Sequence, residues 1–315
     1  MPAVQQIRID ADIAGVRLDN FLLRQLKGVP KSHVYRLIRD GQVRVDKKRA
    51  DAAQRLTEGQ IVRIPPVRVA EKSAPALPFA AAARIEIPIL YEDEALLAVD
   101  KPAGLAAHGG SGVSFGLIET LRAGRPDARF LELAHRLDRE TSGILLIAKK
   151  RSALKRLHEL FKTRATDKRY RMLVRGHFPE PRRVVKAPLF KYLTPEGERR
   201  VRIDPENGKP SVSIFTRLEA RNDISLLEAK LETGRTHQLR VHLAHLGHPI
   251  LGDDKYGDFA RNKALAKQPN GLKRMALHAW RLTLPHPISG EPLALEAPWP
   301  EDLARFWATM SAGDD

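Results

Sequence analysis

Between Pro65 and Ala83 the chain runs Pro-Pro-Val-Arg-Val-Ala-Glu-Lys-Ser-Ala-Pro-Ala-Leu-Pro-Phe-Ala-Ala-Ala-Ala, and this stretch limits the possible folds more than any other feature. Its four prolines fix φ and remove backbone donors, and no helical or strand period survives across it. It reads as a semi-rigid linker over residues 67–83, separating a small module at 1–66 from a larger unit at 84–315. The larger unit is long enough to bury a full-sized core.

In the module, Leu18, Phe21, Leu22 and Leu26 recur at helical spacing and predict an amphipathic helix. A second helix is expected behind Ser32 as N-cap, with Val34, Leu37 and Ile38 as its buried stripe. Gly41 would supply the left-handed position past its end, and Val43 and Val45 alternate as a short strand. Arg17, Lys27, Lys31, Arg36, Arg39, Arg44, Lys47, Lys48 and Arg49 surround these elements, giving one side a charge suited to phosphates. An ordinary solvated face accounts for the same charges equally well.

Past Arg84 strands dominate. Residues 95–100 and 144–148 are short apolar runs; Tyr170 opens a half-buried strand with Met172 and Val174; residues 211–220 and 225–232 are further strands. A helix is expected at 153–161 behind Ser152. Many strands with few interposed helices predict an α+β fold on a mixed, mainly antiparallel sheet with flanking helices.

Lys and Arg number 54 against 38 Asp and Glu, a formal charge of +16, so a polyanionic partner is the first expectation and a merely basic soluble surface the alternative. With no cysteine, disulfides, thiolate metal sites and cysteine nucleophiles are excluded. The N-terminus lacks an apolar signal core, and no apolar run approaches the roughly 20 residues that span a bilayer. The expected location is the cytoplasm, with no membrane contact.

Two segments could carry chemistry. In His135-Arg136-Leu137-Asp138-Arg139-Glu140-Thr141-Ser142-Gly143 the charged residues lead into the apolar Ile-Leu-Leu-Ile-Ala, which puts Asp138 in a loop at the mouth of a buried strand. A lone loop aspartate more commonly pairs with a neighbour such as Arg136 or Arg139. In residues 233–249, Thr236 is expected to cap a helix that stops at Gly247, with Leu239, Leu243 and Leu246 as its apolar stripe. Arg240 then falls near the helix start, where the macrodipole disfavours a cation and a nearby anion would offset the cost. His237, His242, His245 and His248 spread around that helix with no carboxylate among them, which argues against a metal site. A protein-kinase catalytic loop is excluded because Leu137 separates Arg136 from Asp138 and the glycine-rich loop is missing.

Residues 135–143 resemble the catalytic motif of the RluA family of pseudouridine synthases, matching His-Arg-Leu-Asp-x-x-Thr-Ser-Gly throughout. Gly234-Arg235-Thr236-His237-Gln238-Leu239-Arg240 resembles the family segment whose arginine, here Arg240, pairs with the catalytic carboxylate. Lys168-Arg169-Tyr170 resembles the segment whose tyrosine stacks on the target uracil. Lys101-Pro102-Ala103-Gly104-Leu105 with His108-Gly109-Gly110 is similar to the family's first motif, and Met275 to Ala279, with Leu277 near the base, to its last. Arg17-Leu18-Asp19 and Gly41 to Asp46 resemble an S4 (α-L-like) RNA-binding domain.

The resemblance implies isomerisation of uridines in 23S rRNA by members that carry an S4 domain. It makes Asp138 the catalytic carboxylate, Arg240 its partner and Tyr170 the stacking residue, with Arg136 filling the space of a flipped nucleotide. His135, Thr141, Arg235, His237 and Leu277 would line the substrate site, and Lys31, Arg36, Arg39, Arg44, Lys47, Lys48, Arg49 and Arg17 would face RNA. The implied enzyme is a monomer that needs no metal and no small-molecule cofactor. Two readings compete: a non-enzymatic S4-type ribosome-assembly protein, and an enzyme of the same family with other 23S rRNA targets. Uridine methylation is disfavoured because it typically needs a cysteine nucleophile.

Overall fold

The computed structural model describes residues 4–11, 13–26, 29–67, 86–109 and 115–310, and the chain divides into two compact units at Leu77/Pro78. All of the expected linker except Val67 lies outside the described residues, as do Lys27 and Gly110.

The N-terminal unit comprises β1 (Gln5–Arg8), α1 (Leu18–Gln25), α2 (Lys31–Arg39), β2 (Arg44–Val45), β3 (Lys48–Arg49) and β4 (Ile61–Ile64). Its sheet has the order β1-β4-β2-β3 and is antiparallel throughout. Leu18, Leu22, Val34, Val43, Leu56 and Val62 are fully buried, so both expected helical stripes and the short strand share one core. Burial of each such side chain contributes roughly 1.5–3 kcal/mol. Ser32 does not cap α2: the helix begins at Lys31, behind Pro30, which already holds φ near the value an entry needs. At its other end Gly41, at φ +69, donates to Ile38 and Gln42 donates to Leu37, a Schellman closure that only a residue tolerant of the left-handed region completes cheaply. Asp46 and Lys47 both have positive φ, as a type I′ turn between β2 and β3 requires.

Lys31, Arg36, Arg39, Arg44, Lys47, Lys48 and Arg49 are exposed. Arg17 is exposed as well but committed: it bonds both oxygens of buried Asp19, which also accepts from Tyr35 and the Asn20 amide.

The second unit contains β5 (Ile89–Glu92), β6 (Leu96–Lys101), α3 (Leu117–Ala123), β7 (Glu132–Leu133), β8 (Ser142–Ala148), α4 (Arg151–Thr163) and β9 (Asp167–Arg175). It continues with β10 (Arg182–Lys186), β11 (Leu189–Leu193), β12 (Arg199–Ile203), β13 (Val212–Arg221), β14 (Ile224–Leu231) and α5 (Gln238–His245). The chain ends with α6 (Phe259–Ala266), β15 (Leu277–Pro285), β16 (Pro292–Glu296) and α7 (Glu301–Ala308). Ten strands form one sheet, ordered β10-β13-β14-β9-β15-β8-β6-β5, with β16 beside β15 and β7 beside β8. Every pairing is antiparallel except β8 with β15, so the sheet is mixed and mainly antiparallel, and the fold is α+β. β8 is buried along its whole length, as its unbroken apolar run requires. At α4 and β9 the starts differ from expectation. α4 starts at Arg151, placing Ser152 inside the helix, and β9 starts at Asp167, so Tyr170 is its fourth residue. Among the described residues no helix is long and apolar enough to cross a membrane.

Candidate active site

The parallel step in the sheet builds the site. Ser142 and Gly143 lie beside His278 and Ala279, at φ +110 for Gly143, where a Cβ would stand 2.2 Å from the Ala279 carbonyl oxygen. Only glycine permits that approach, which explains the last residue of the Thr-Ser-Gly turn. Upstream of the turn, buried Leu137 anchors the loop and the Thr141 amide donates to the Asp138 carbonyl at 3.1 Å. The Lys101 ammonium, wholly buried, donates to the carbonyls of Pro102, Leu105 and Arg139 at 2.8, 2.7 and 3.0 Å. The Gly104 amide also donates to Arg139. The Lys-Pro-Ala-Gly turn is thereby stapled to the loop that carries Asp138. Burial pushes the Lys101 ammonium down to about 7.

α5 presents the partner groups. Thr236 does not cap it: the cap position is His237, left-handed at φ +54, and no side chain caps the helix. Gln238 instead ties down the turn, accepting from the Arg235 amide and the Thr233 hydroxyl and donating to Val212 and Ser213. A left-handed non-glycine residue costs roughly 1–2 kcal/mol and persists only where its surroundings over-determine it. Gly247, at φ +81, closes the other end, as expected.

Arg240 sits in the first turn, 3% exposed, inside a ring of three carboxylates. Its Nη1 donates to Asp138 Oδ2 at 3.2 Å, its Nε and Nη2 to the two oxygens of Asp253 at 2.7 Å each, and Nη2 also to Asp254 at 3.0 Å. Burial opposes the charge on Arg240, but the Asp253 bond and the Asp253 and Asp138 charges outweigh it and raise its pKa. Burial likewise opposes the charge on Asp253, and Arg240 with the amides of Lys255 and Tyr256 holds that carboxyl below its ordinary range. The anion that the helix start calls for is thus threefold.

Tyr170 has the small residues Ala229 of β14 and Ala279 of β15 as its cross-strand neighbours, packs against the core and borders the cleft. Burial, then the Asp138 charge, pushes its phenol above the ordinary value of 10.0. Asp138, Tyr170, Arg240, Arg136, Thr141, Arg235, His237 and Leu277 all line one open cleft of about 130 Å³. Arg136 and Arg235 are exposed at the cleft, and His237 Nε2 lies 3.7 Å from Asp138 Oδ2.

His135 is the exception among the expected site residues. Its Nε2 accepts the Leu146 amide at 3.1 Å and its ring packs 5.1 Å from Phe161, so it braces β8 against α4 rather than lining the cleft. Burial pushes its imidazole down to about 3. The α5 histidines also part company: His242 bonds Ser211 and Ser213, while His248 bonds the Arg175 carbonyl. Among the described residues no group of histidines and carboxylates could hold a metal ion.

Sequence reasoning missed Asp253, Asp254 and Tyr256. A signal was available in Gly252-Asp253-Asp254-Lys255-Tyr256-Gly257, an acidic pair bracketed by glycines. At Gly252, φ +74, a Cβ would stand 2.0 Å from the Arg274 carbonyl oxygen.

Comparison with known proteins agrees with this geometry. Residues 95–245 match the RNA pseudouridylate synthase family and residues 16–62 the S4 domain. The chain is 51% identical over 306 residues to ribosomal large subunit pseudouridine synthase C of Escherichia coli, covering 96% of each chain. It is 50% identical over 310 residues to the Pasteurella multocida protein of the same name, covering 98% of this chain and 94% of that one. Among solved structures, human RNA pseudouridylate synthase domain containing 1 superposes with a TM-score of 0.61 at 30% identity, over 72% of this chain and 89% of that chain. With a relative at this identity spanning nearly its whole length, the chain belongs to the RluA-type RNA pseudouridylate synthases and carries an S4 domain ahead of its synthase unit.

Proposed function

We propose that this chain converts specific uridines of 23S rRNA to pseudouridine, with Asp138 as the carboxylate that acts on the sugar. The observation that carries the reading is the 3.2 Å contact of Arg240 with Asp138 at a cleft that Tyr170 also lines.

The reaction breaks the bond from uracil N1 to C1′ and joins C5 to C1′; the C5 proton leaves to solvent and N1 takes up a proton, so it is redox-neutral with no net change in composition. A base stacked in RNA is out of reach, and flipping it out costs a few kcal/mol of stacking. Stacking of the flipped base on Tyr170 returns about 1–3 kcal/mol, and Arg136 occupies the vacated space. Leu277 closes the apolar side. Asp138 then either adds to C1′ or removes the C2′ proton to give a glycal, and both routes need an ionised, oriented carboxylate. Arg240 supplies the opposing charge from a buried, fully bonded position, which avoids reorganisation during the reaction. A Tyr170 phenol held in its protonated form is better suited to stacking than to removing the C5 proton.

In this reading residues 1–66 dock the RNA, residues 67–83 link, and residues 84–315 carry out the chemistry on one monomer in the cytoplasm. The exposed cations of α2 and the β2–β3 hairpin contact phosphates, which fix position without reading sequence. The relatives are named for the large ribosomal subunit, which supports 23S rRNA as the substrate. The test is incubation of the protein with unmodified 23S rRNA, followed by carbodiimide treatment and primer extension. New stops at discrete uridines are expected, and their absence refutes the assignment.

A further inference from the structure

Hydrogen-bond accounting around Tyr256 decides which nitrogen of His237 carries its proton. The Tyr256 phenol oxygen accepts the Val201 backbone N–H at 2.9 Å and lies 2.8 Å from His237 Nδ1. A phenol has one proton to donate, and a neutral imidazole has one donor and one acceptor nitrogen. If Nδ1 held the proton, the phenol oxygen would receive two N–H groups while its own proton faced no acceptor among the described residues. If Nδ1 is bare, the phenol proton goes there and every group is satisfied. The imidazole proton is then on Nε2, the nitrogen 3.7 Å from Asp138 Oδ2.

Tyr256 touches the other partner of Asp138 as well. Its ring lies 5.2 Å from the guanidinium carbon of Arg240 and meets the His237 ring edge-on at 5.5 Å. Its backbone N–H donates to Asp253, the carboxylate that grips Arg240. We propose that Tyr256 is a positioning residue that holds His237 as the neutral Nε2–H tautomer and so aims a second proton donor at the Asp138 carboxylate.

The backbone at His237 is left-handed, in the turn that the Gln238 side chain ties down, and the residue lines the cleft. Burial favours the neutral ring, pushing the imidazole below its ordinary value of 6.5 although Asp138 opposes this. A neutral donor orients the carboxylate without adding a cation beside Arg240. At 3.7 Å the pair stands just beyond hydrogen-bond distance, in keeping with catalytic contacts that close only around substrate.

The direct test is long-range ¹H–¹⁵N correlation on the full chain labelled at histidine nitrogen, with the His237 signals identified by their loss in His237→Gln. Wild type should show the Nε2–H form near neutral pH, and Tyr256→Phe, with an unchanged melting profile, should bring the Nδ1–H form to a detectable population. An Nδ1–H or doubly protonated ring in wild type, or an unaltered tautomer in Tyr256→Phe, overturns the proposal. A kinetic arm rests on the function proposed above. His237→Gln places an amide where Nε2 stands and His237→Asn where Nδ1 stands. The Gln variant should keep at least tenfold more single-turnover rate than the Asn variant at similar KM for RNA, and equal losses count against the directional role. Wild type that is inactive on RNA would defeat the functional reading, while the tautomer would still decide this one.

Discussion

Asp253 has no exposed surface, and its two oxygens take two of the three Arg240 nitrogens. The guanidinium fork is rigid, so fixing those two aims the third at Asp138. Removing one member of a buried, hydrogen-bonded pair leaves the other charge uncompensated, so Asp253→Ala should lower stability by about 3–5 kcal/mol in urea unfolding. Asp253→Asn keeps the volume and should depress kcat more than KM for RNA; a pure KM effect would contradict a positioning role. None of this was legible in the sequence, because an acidic pair in a glycine turn looks like any solvated loop until the fold buries it. His135 failed for the complementary reason. It lies three residues from Asp138 inside the motif, but the chain turns between them and sends its ring under the sheet.

The elements were more legible than the residues that end them. Apolar alternation found β9, β13 and β14, and the unbroken run of residues 144–148 found β8, because a strand's burial pattern is written in its own side chains. Helix starts were misplaced at Ser32, Ser152 and Thr236, where a good capping side chain stood one or two positions from the actual boundary and formed no cap. At α5 the tertiary bonds of Gln238 outweigh any local cap, and they force His237 into its unusual conformation. The parallel contact of β8 with β15 was not legible, since it joins residues 136 positions apart. Its consequence is sharp: Gly143→Ala meets both a positive φ and the Ala279 carbonyl, and should cost about 3 kcal/mol or more by urea unfolding while Gly197→Ala, with open space around it, costs less. Equal costs would mean that β8 and β15 separate without penalty.

For the whole chain, pH and salt act on different units. His135 and His278 stay neutral in the folded protein down to about 3 and about 4, whereas an unfolded chain takes up protons near 6.5. The unfolded state therefore binds more protons as pH falls from 6.5 toward 4, and stability falls with it. By pH 5 the loss is roughly 2 kcal/mol for each histidine. Urea midpoints at pH 7 and pH 5 check this, and a midpoint that rises on acidification would contradict it. The N-terminal unit governs salt. Replacing exposed Arg36, Arg39 and Lys48 with glutamine should weaken RNA binding and flatten its dependence on salt by about 0.7–0.9 in slope for each phosphate no longer neutralised. An unchanged slope would show that those side chains do not meet phosphates. The basic character of the first stretch was readable from its charge. The cleft was readable only through the family resemblance, because its walls come from widely separated stretches of sequence that the folded sheet brings together.

In the proposed mechanism Asp138 is the group on which the isomerisation turns. Forming the C5–C1′ bond expels the hydrogen at C5, so RNA carrying tritium at uridine C5 reports each turnover as released tritium. Wild-type protein with 23S rRNA so labelled should release tritium in a fixed molar ratio to the RNA. Asp138→Asn, folded by its melting profile, should release none above background. Release by Asp138→Asn at a rate near that of wild type would contradict the catalytic role of this carboxylate.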